Sequence, residues 1–176
     1  MHVVDPQPAV SRRRLSRPAR LSLLSHRAPR LSAALSRLHA RLYRASGGRV
    51  IGRWFGVPVV VIETVGRRSG KPRRTPVIYV EHGDDLLVMA SNGGSDRTPA
   101  WWLNLREAGR GTVSLHGRSW PVVAREVEGG ERADLWRAFS QVYPPVEEYL
   151  TFTDRELPLV VLSRAEAPGG PVAGRG

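Results

Sequence analysis

Residues Val57 to Val65 read Val-Pro-Val-Val-Val-Ile-Glu-Thr-Val, and this β-branched run constrains the fold more than any other feature of the chain. Such side chains have few χ1 rotamers and pack well on a pleated surface, so the run predicts a buried strand. Punctuation then comes at short intervals. Gly66 to Pro72 is a loop around Ser69-Gly70, Thr75–Glu81 a second strand, and His82-Gly83-Asp84 a turn into a third strand, Asp85–Ser91. Asn92-Gly93-Gly94-Ser95 is another loop, and Pro99 opens a short helix over Ala100–Ala108. Gly111–His116 and Trp120–Val127 form a hairpin around Gly117-Arg118. Glu131–Tyr143 is an amphipathic helix through Leu135, Phe139 and Val142, and Leu157–Leu162 is a last strand. About six antiparallel strands with a few short helices predict a β-rich α+β chain closed as a small barrel. A doubly wound sheet would need a helix after nearly every strand.

The chain has 176 residues and a net charge of +11, which invites a nucleic-acid reading until the charge is located. Residues 1–44 carry ten arginines against Asp5, whereas the remainder holds 17 basic and 15 acidic side chains. The basicity therefore belongs to an N-terminal extension, and no specific nucleic-acid partner is expected of the domain. Residues 1–30, rich in Arg, Ser and Pro, predict a disordered basic extension. The apolar stretch Leu21–Leu24 is too short and its surroundings too charged for a secretory signal, so a cytoplasmic location is expected. Leu31, Leu35, Leu38 and Leu42 recur at helical spacing, predicting an amphipathic helix over 31–48. It would dock on the barrel or a partner subunit, or lie peripherally on an anionic membrane surface. The barrel domain spans 49–164, and 165–176 is a disordered tail. No cysteine is present, no His-x-x-x-His pair occurs, and no metal site is expected.

Two stretches concentrate chemistry. Gly66 to Thr75 holds Arg67, Arg68, Lys71, Arg73 and Arg74 with no acid, and two glycines free the backbone. Guanidinium forks beside exposed amides make an anion site suited to phosphate or several carboxylates. A solvated hairpin with incidental arginines is the alternative. The spacing matches neither a P-loop nor a dinucleotide fingerprint. The second stretch is Met89-Ala90-Ser91-Asn92-Gly93-Gly94, followed by Pro99-Ala100-Trp101-Trp102-Leu103-Asn104-Leu105. A strand ending in small residues leaves room for a flat ring against backbone. Neighbouring residues on a helix point about 100° apart, so one tryptophan is expected in the core and the other beside a cleft or an interface, ordinary core and surface aromatics being the alternative.

Taken together and in order, Gly-Arg-Arg-Ser-Gly-Lys-Pro-Arg-Arg-Thr-Pro, Ala-Ser-Asn-Gly-Gly, Pro-Ala-Trp-Trp-Leu-Asn-Leu, Val-Tyr-Pro and Leu-Pro-Leu-Val-Val-Leu resemble the deazaflavin-dependent nitroreductase family of actinobacteria. The resemblance covers roughly Val57 to Ser163. It implies a split β-barrel that binds coenzyme F420, a deazaflavin with a phosphodiester and an anionic glutamyl tail. It places Arg67, Arg68, Ser69, Lys71, Arg73, Arg74, Thr75, Pro76, Val77 and Ile78 around the tail, phosphate and ring. Met89, Ala90, Ser91 and Asn92 would flank the ring, and Ala100, Trp101, Trp102, Leu103 and Asn104 would complete its pocket.

The implied activity is hydride transfer from the reduced deazaflavin to a small planar electron-poor acceptor such as a quinone, by a monomer or homodimer. Ser91, Tyr149 or water would supply the proton. An FMN- or haem-related protein of the same barrel, or a basic module whose arginine tail grips nucleic acid or anionic lipid, are the alternatives. FMN has one phosphate and no glutamyl tail, so it needs fewer cations than the loop offers. Val146 and Tyr149 are expected on the substrate wall. Family members that reduce nitroimidazoles carry a tyrosine where this chain has Val146 and an aromatic near Ile78. Weak nitroimidazole turnover with quinone reduction retained is the expectation.

Overall fold

The computed structural model describes residues 15–21, 53–54 and 56–165. The strands are β1 (Arg53–Trp54), β2 (Val57–Val65), β3 (Pro72–His82), β4 (Asp85–Met89), β5 (Arg110–Leu115), β6 (Arg118–Glu126) and β7 (Leu159–Arg164). The helices are α1 (Ala100–Ala108), α2 (Glu131–Val142) and α3 (Pro145–Tyr149), with a 3-10 turn at Asn92–Gly94. All pairings are antiparallel, in the order β1-β2-β3-β4-β7-β6-β5. Pairing of β5 back onto β2, with Ile62 opposite Val113, closes six strands into the predicted barrel.

Strand alternation divides the apolar residues between two cores. Val60, Ile62, Val77, Tyr79, Val88, Val113, Val122, Val160 and Leu162 point inward and form the barrel interior with Trp101, Trp102 and Leu105 of α1. Outward-facing Leu87 and Met89 of β4 and Leu159 and Val161 of β7 are covered by Leu135 and Phe139 of α2 and by Val146 and Tyr149 of α3. Burial of both faces explains why β2 reads as a continuous β-branched run and not as an alternation.

The structure departs from the sequence expectations in four places. Residues 17–21, inside the stretch expected to be disordered, form a helical turn. Ala19 is fully buried in the outer core, and the Ser16 amide donates to Glu148 Oε2 at 2.8 Å, so this segment has an apolar anchor and a polar one. On α2 the apolar face ends on Tyr143, which is buried, while Val142 is exposed. The helix terminates at Val142, and the non-helical backbone of Tyr143 (φ −131°, ψ 74°) turns its ring inward. Helix α3 was not anticipated, although Pro145 at its first position and Glu147 and Glu148 in its first turn are helix-start signals. The short strand β1 was missed as well. The helix expected over 31–48 and the tail beyond 165 lie outside the described residues.

Candidate functional site

The cationic loop joins β2 to β3 and is closed by its own backbone. The Gly66 amide donates to Lys71 O at 2.8 Å, and the Ser69 and Gly70 amides donate to Gly66 O at 3.0 and 2.8 Å. A Cβ on Gly66 would lie 2.7 Å from Ser69 Oγ and 3.2 Å from Lys71 O, so any other residue at this crossing requires the Ser69 hydroxyl to move. Arg67, Arg68, Lys71 and Arg73 are all exposed. Among the described residues, Arg74 is the only one of the five loop cations in an ion pair. Its Nε meets Glu63 Oε2 at 2.8 Å, because the two are cross-strand partners on the barrel's outer face. Sequence adjacency hid this acid, which lies on the preceding strand. Arg74 is therefore a strand brace as much as a loop cation. Arg73 has the opposite facing and donates from Nη2 to Ser69 Oγ at 3.3 Å.

Asn104 of α1 ties this loop to the barrel. Its side chain is 4% exposed. Oδ1 accepts from the Arg67 amide at 3.2 Å and from Arg67 Nη1 at 3.1 Å, and Nδ2 donates to Thr64 Oγ1 at 3.2 Å. A buried carboxamide with both ends engaged fixes the loop's entry relative to the helix. The sequence picked out Asn104, but its partner Thr64 was missed.

The residues expected around a ring are more enclosed than expected. Trp101 and Trp102 are 5% and 2% exposed, with ring centroids 6.1 Å apart, so neither borders an open cleft. Helix α1 packs against β2, β3 and β5 together, which covers it on more than one side. Trp102 Nε1 is buried with no hydrogen-bond partner among the described residues. Met89 lies in the outer core while Ala90 lies in the inner one, as strand alternation requires. Pro76 and Val77 are buried as well, and Thr75 and Ile78 are partly accessible. Ala100 is exposed and Leu103 partly so.

The loop after β4 is strongly curved. Asn92, Gly93 and Gly94 have φ of 51°, 64° and 77°, and Ser91 Oγ accepts from the Gly93 amide at 3.4 Å. Asn92 Nδ2 donates to Arg97 O at 2.9 Å. A Cβ on Gly94 would sit 3.0 Å from Phe152 Cδ2 and from Tyr149 O, so this loop abuts the α3 segment. Arg155, which the sequence reading missed, donates to Ala90 O, Ser91 O and Ser95 O. Burial holds its guanidinium below the ordinary arginine range, an effect opposed by Asp96.

The expected substrate wall is also closed. Val146 is 0% and Tyr149 7% exposed, both in the outer core with Ala19. The hydroxyls of Tyr143 and Tyr149 share a hydrogen bond of 2.8 Å. Burial, then Tyr149 and Glu148, raises the Tyr143 pKa well above the ordinary phenol range.

A family model described as F420H(2)-dependent quinone reductase matches residues 35–164. An F420H(2)-dependent quinone reductase of Mycobacterium tuberculosis is 32% identical over 134 residues, covering 74% of this chain and 90% of its own. Among solved structures, an F420-H2 dependent reductase (FDR-A) is 36% identical with a TM-score of 0.55, over 60% of this chain and 94% of that one. A chain described as a domain-swapped dimer is 30% identical with a TM-score of 0.56, over 75% and 98%. With its six-stranded barrel, its cationic β2–β3 loop and these likenesses, the chain belongs to the F420H(2)-dependent quinone reductase family.

Proposed function

We propose that this F420H2-dependent oxidoreductase holds the coenzyme's anionic tail on Arg67, Arg68, Lys71 and Arg73 and its ring against the Met89–Asn92 segment. The observation that carries the reading is the loop itself. Four exposed donor-only cations have no described acid partner, and Asn104 anchors the loop to α1. Guanidinium and ammonium groups accept no hydrogen bonds, so their natural complement is an anion rich in oxygen. The donor set thus fits the coenzyme. Family membership leaves the FMN alternative and the basic-module alternative without support.

Bound in this way, the reduced deazaflavin supplies a hydride to a quinone, which also takes up a proton to become the hydroquinone. The protein's part is orientation and charge. Arg67 and Arg73 hold the tail, while Ser91 and the curved backbone after it border the ring. Ser91 Oγ, partly exposed, is better placed to pass a proton than Tyr149, whose hydroxyl is enclosed beside Tyr143. Apolar burial suits a quinone acceptor, because its binding rests on contact area more than on polar anchors.

Residues 31–48 would bring a cytoplasmic enzyme to an anionic membrane surface, where lipid-dissolved quinones reside. The arginines of the extension support this reading, and among the described residues no helix is long and apolar enough to cross a membrane. Flotation of the full chain with anionic and neutral liposomes tests it. Flotation with neither would remove the membrane role, and equal flotation with both would remove the preference for an anionic surface. Since one structural relative is described as a domain-swapped dimer, a homodimer is the assembly to look for in solution. The coenzyme reading is tested by titrating the protein with oxidised F420 and following deazaflavin fluorescence. Saturable quenching supports it, and no quenching at tens of micromolar coenzyme contradicts it.

A further inference from the structure

Arg155 lies in the segment between α3 and β7, outside every motif of the family resemblance. Its guanidinium collects carbonyls that are far away in sequence. Nη2 donates to Ala90 O at 3.3 Å, Ser91 O at 3.0 Å and Ser95 O at 3.1 Å. Nε also reaches Ser95 O, at 3.3 Å, and Nη1 reaches Glu156 O at 3.0 Å. The same segment makes a second tie, since Thr153 Oγ1 donates to Asp96 Oδ1 at 2.6 Å and accepts from the Arg155 amide at 3.1 Å.

The loop held in this way is one that ladder hydrogen bonds cannot shape. Three consecutive residues, Asn92 to Gly94, have positive φ, and the internal backbone bonds include the Gly94 amide to Ser91 O at 3.1 Å and the Ser95 amide to Asn92 O at 3.3 Å. A planar fork with five donors can grip several carbonyls at once, whereas an ammonium offers three donors from a single point. The carbonyls of Ala90, Ser91 and Ser95 are thereby committed to the Arg155 side of the loop.

We infer that Arg155 is a positioning residue that sets the curvature of the Ala90–Ser95 loop to receive the flat deazaflavin ring, an inference that rests on the coenzyme reading above. Arg155 shapes the ring side of the site, whereas Arg67 and Arg73 serve the tail. The two roles differ in how they treat a coenzyme lacking its tail.

The test compares affinities for oxidised F420 and for the tail-free deazaflavin, by fluorescence quenching, with melting temperature measured in parallel. Arg155 also lines an open cleft of about 760 Å³ with Trp136, Glu147 and Asp154, so Arg155→Met admits water to the stranded carbonyls and the fold is expected to survive. Arg155→Met should weaken both ligands by the same factor, about tenfold or more, the size expected for losing hydrogen bonds to a charged group. Arg67→Ala should weaken the tailed coenzyme more than the tail-free one. If Arg155→Met fails to fold, Arg155→Lys carries the same comparison, with a smaller but still equal loss for both ligands. A lowered melting temperature with unchanged affinity for both ligands would make Arg155 a purely structural brace and overturn the inference. So would a loss confined to the tailed coenzyme. Absence of quenching by the unaltered protein would overturn the coenzyme reading itself, and this inference with it.

Discussion

The Asn104 carboxamide oxygen accepts from both the backbone amide and the guanidinium of Arg67, at 3.2 and 3.1 Å, which makes one buried side chain the hinge pin of the cationic loop. Asn104→Leu keeps a similar volume but strands the Arg67 amide and the Thr64 hydroxyl. It should cost about 1–3 kcal/mol of stability, the penalty for unsatisfied buried polar groups. Denaturant unfolding measures this, and a quench titration of the folded variant should show weaker coenzyme binding because the loop is no longer fixed.

The loop cations divide into two groups. Arg67→Ala and Arg73→Ala should each weaken F420 binding by about 1.5–3 kcal/mol, the scale of a hydrogen bond to a charged group. Arg74→Ala should cost less than about 1 kcal/mol in binding, because its guanidinium is held by Glu63 in a partly exposed pair. Equal losses at all three positions in parallel titrations would show that the Glu63 pair opens to release Arg74.

The barrel was legible in the sequence because its determinants are local. The β-branched run of β2, the Gly-containing turns and Pro99 ahead of α1 each announce themselves within a few residues. The cationic loop was legible because its charges are contiguous, from Arg67 to Arg73. What stayed hidden depends on pairing across the chain. Glu63 neutralises Arg74 only once β2 lies beside β3, and Arg155 meets Ala90 only once the α3 segment folds over the loop. The two tryptophans misled for a similar reason. A 100° step separates neighbouring residues on one helix but does not limit how many sides of that helix are covered.

Gly94 is the contact point between the curved loop and α3. Gly94→Ala forces a methyl against Phe152 and the Tyr149 backbone at a φ of 77°, and should destabilise by about 1–3 kcal/mol. A melting-temperature comparison reads the effect, and an unchanged value would mean that the α3 segment moves away at little cost.

Burial of Val146 changes what a tyrosine there would do. Instead of adding a polar anchor to an open wall, Val146→Tyr inserts a ring into a filled core and should cost about 1–3 kcal/mol through overpacking. Nitroimidazole turnover should stay low in the variant. A stable variant with raised turnover would show that this wall opens during catalysis.

Tyr143 provides a pH signature. Its pKa is raised in the folded state above the ordinary value of 10.0, so the unfolded chain loses this proton first as pH rises. The associated stability is complete below about pH 10 and declines above it. Tyr143→Phe should remove part of that alkaline decline in a denaturation series from neutral to alkaline pH. An identical decline in both proteins would assign it to other groups.

Hydride transfer from the reduced deazaflavin to a quinone, with the coenzyme held on the cationic β2–β3 loop, is the reaction to be measured. The most direct measurement mixes protein, reduced F420 and a quinone without oxygen, and follows the return of the oxidised deazaflavin's absorbance. Quinone-dependent reoxidation well above the protein-free rate, reduced in Arg67→Ala and Arg73→Ala, is the predicted result. Reoxidation no faster than without protein, or unaffected by removing those arginines, would contradict the account.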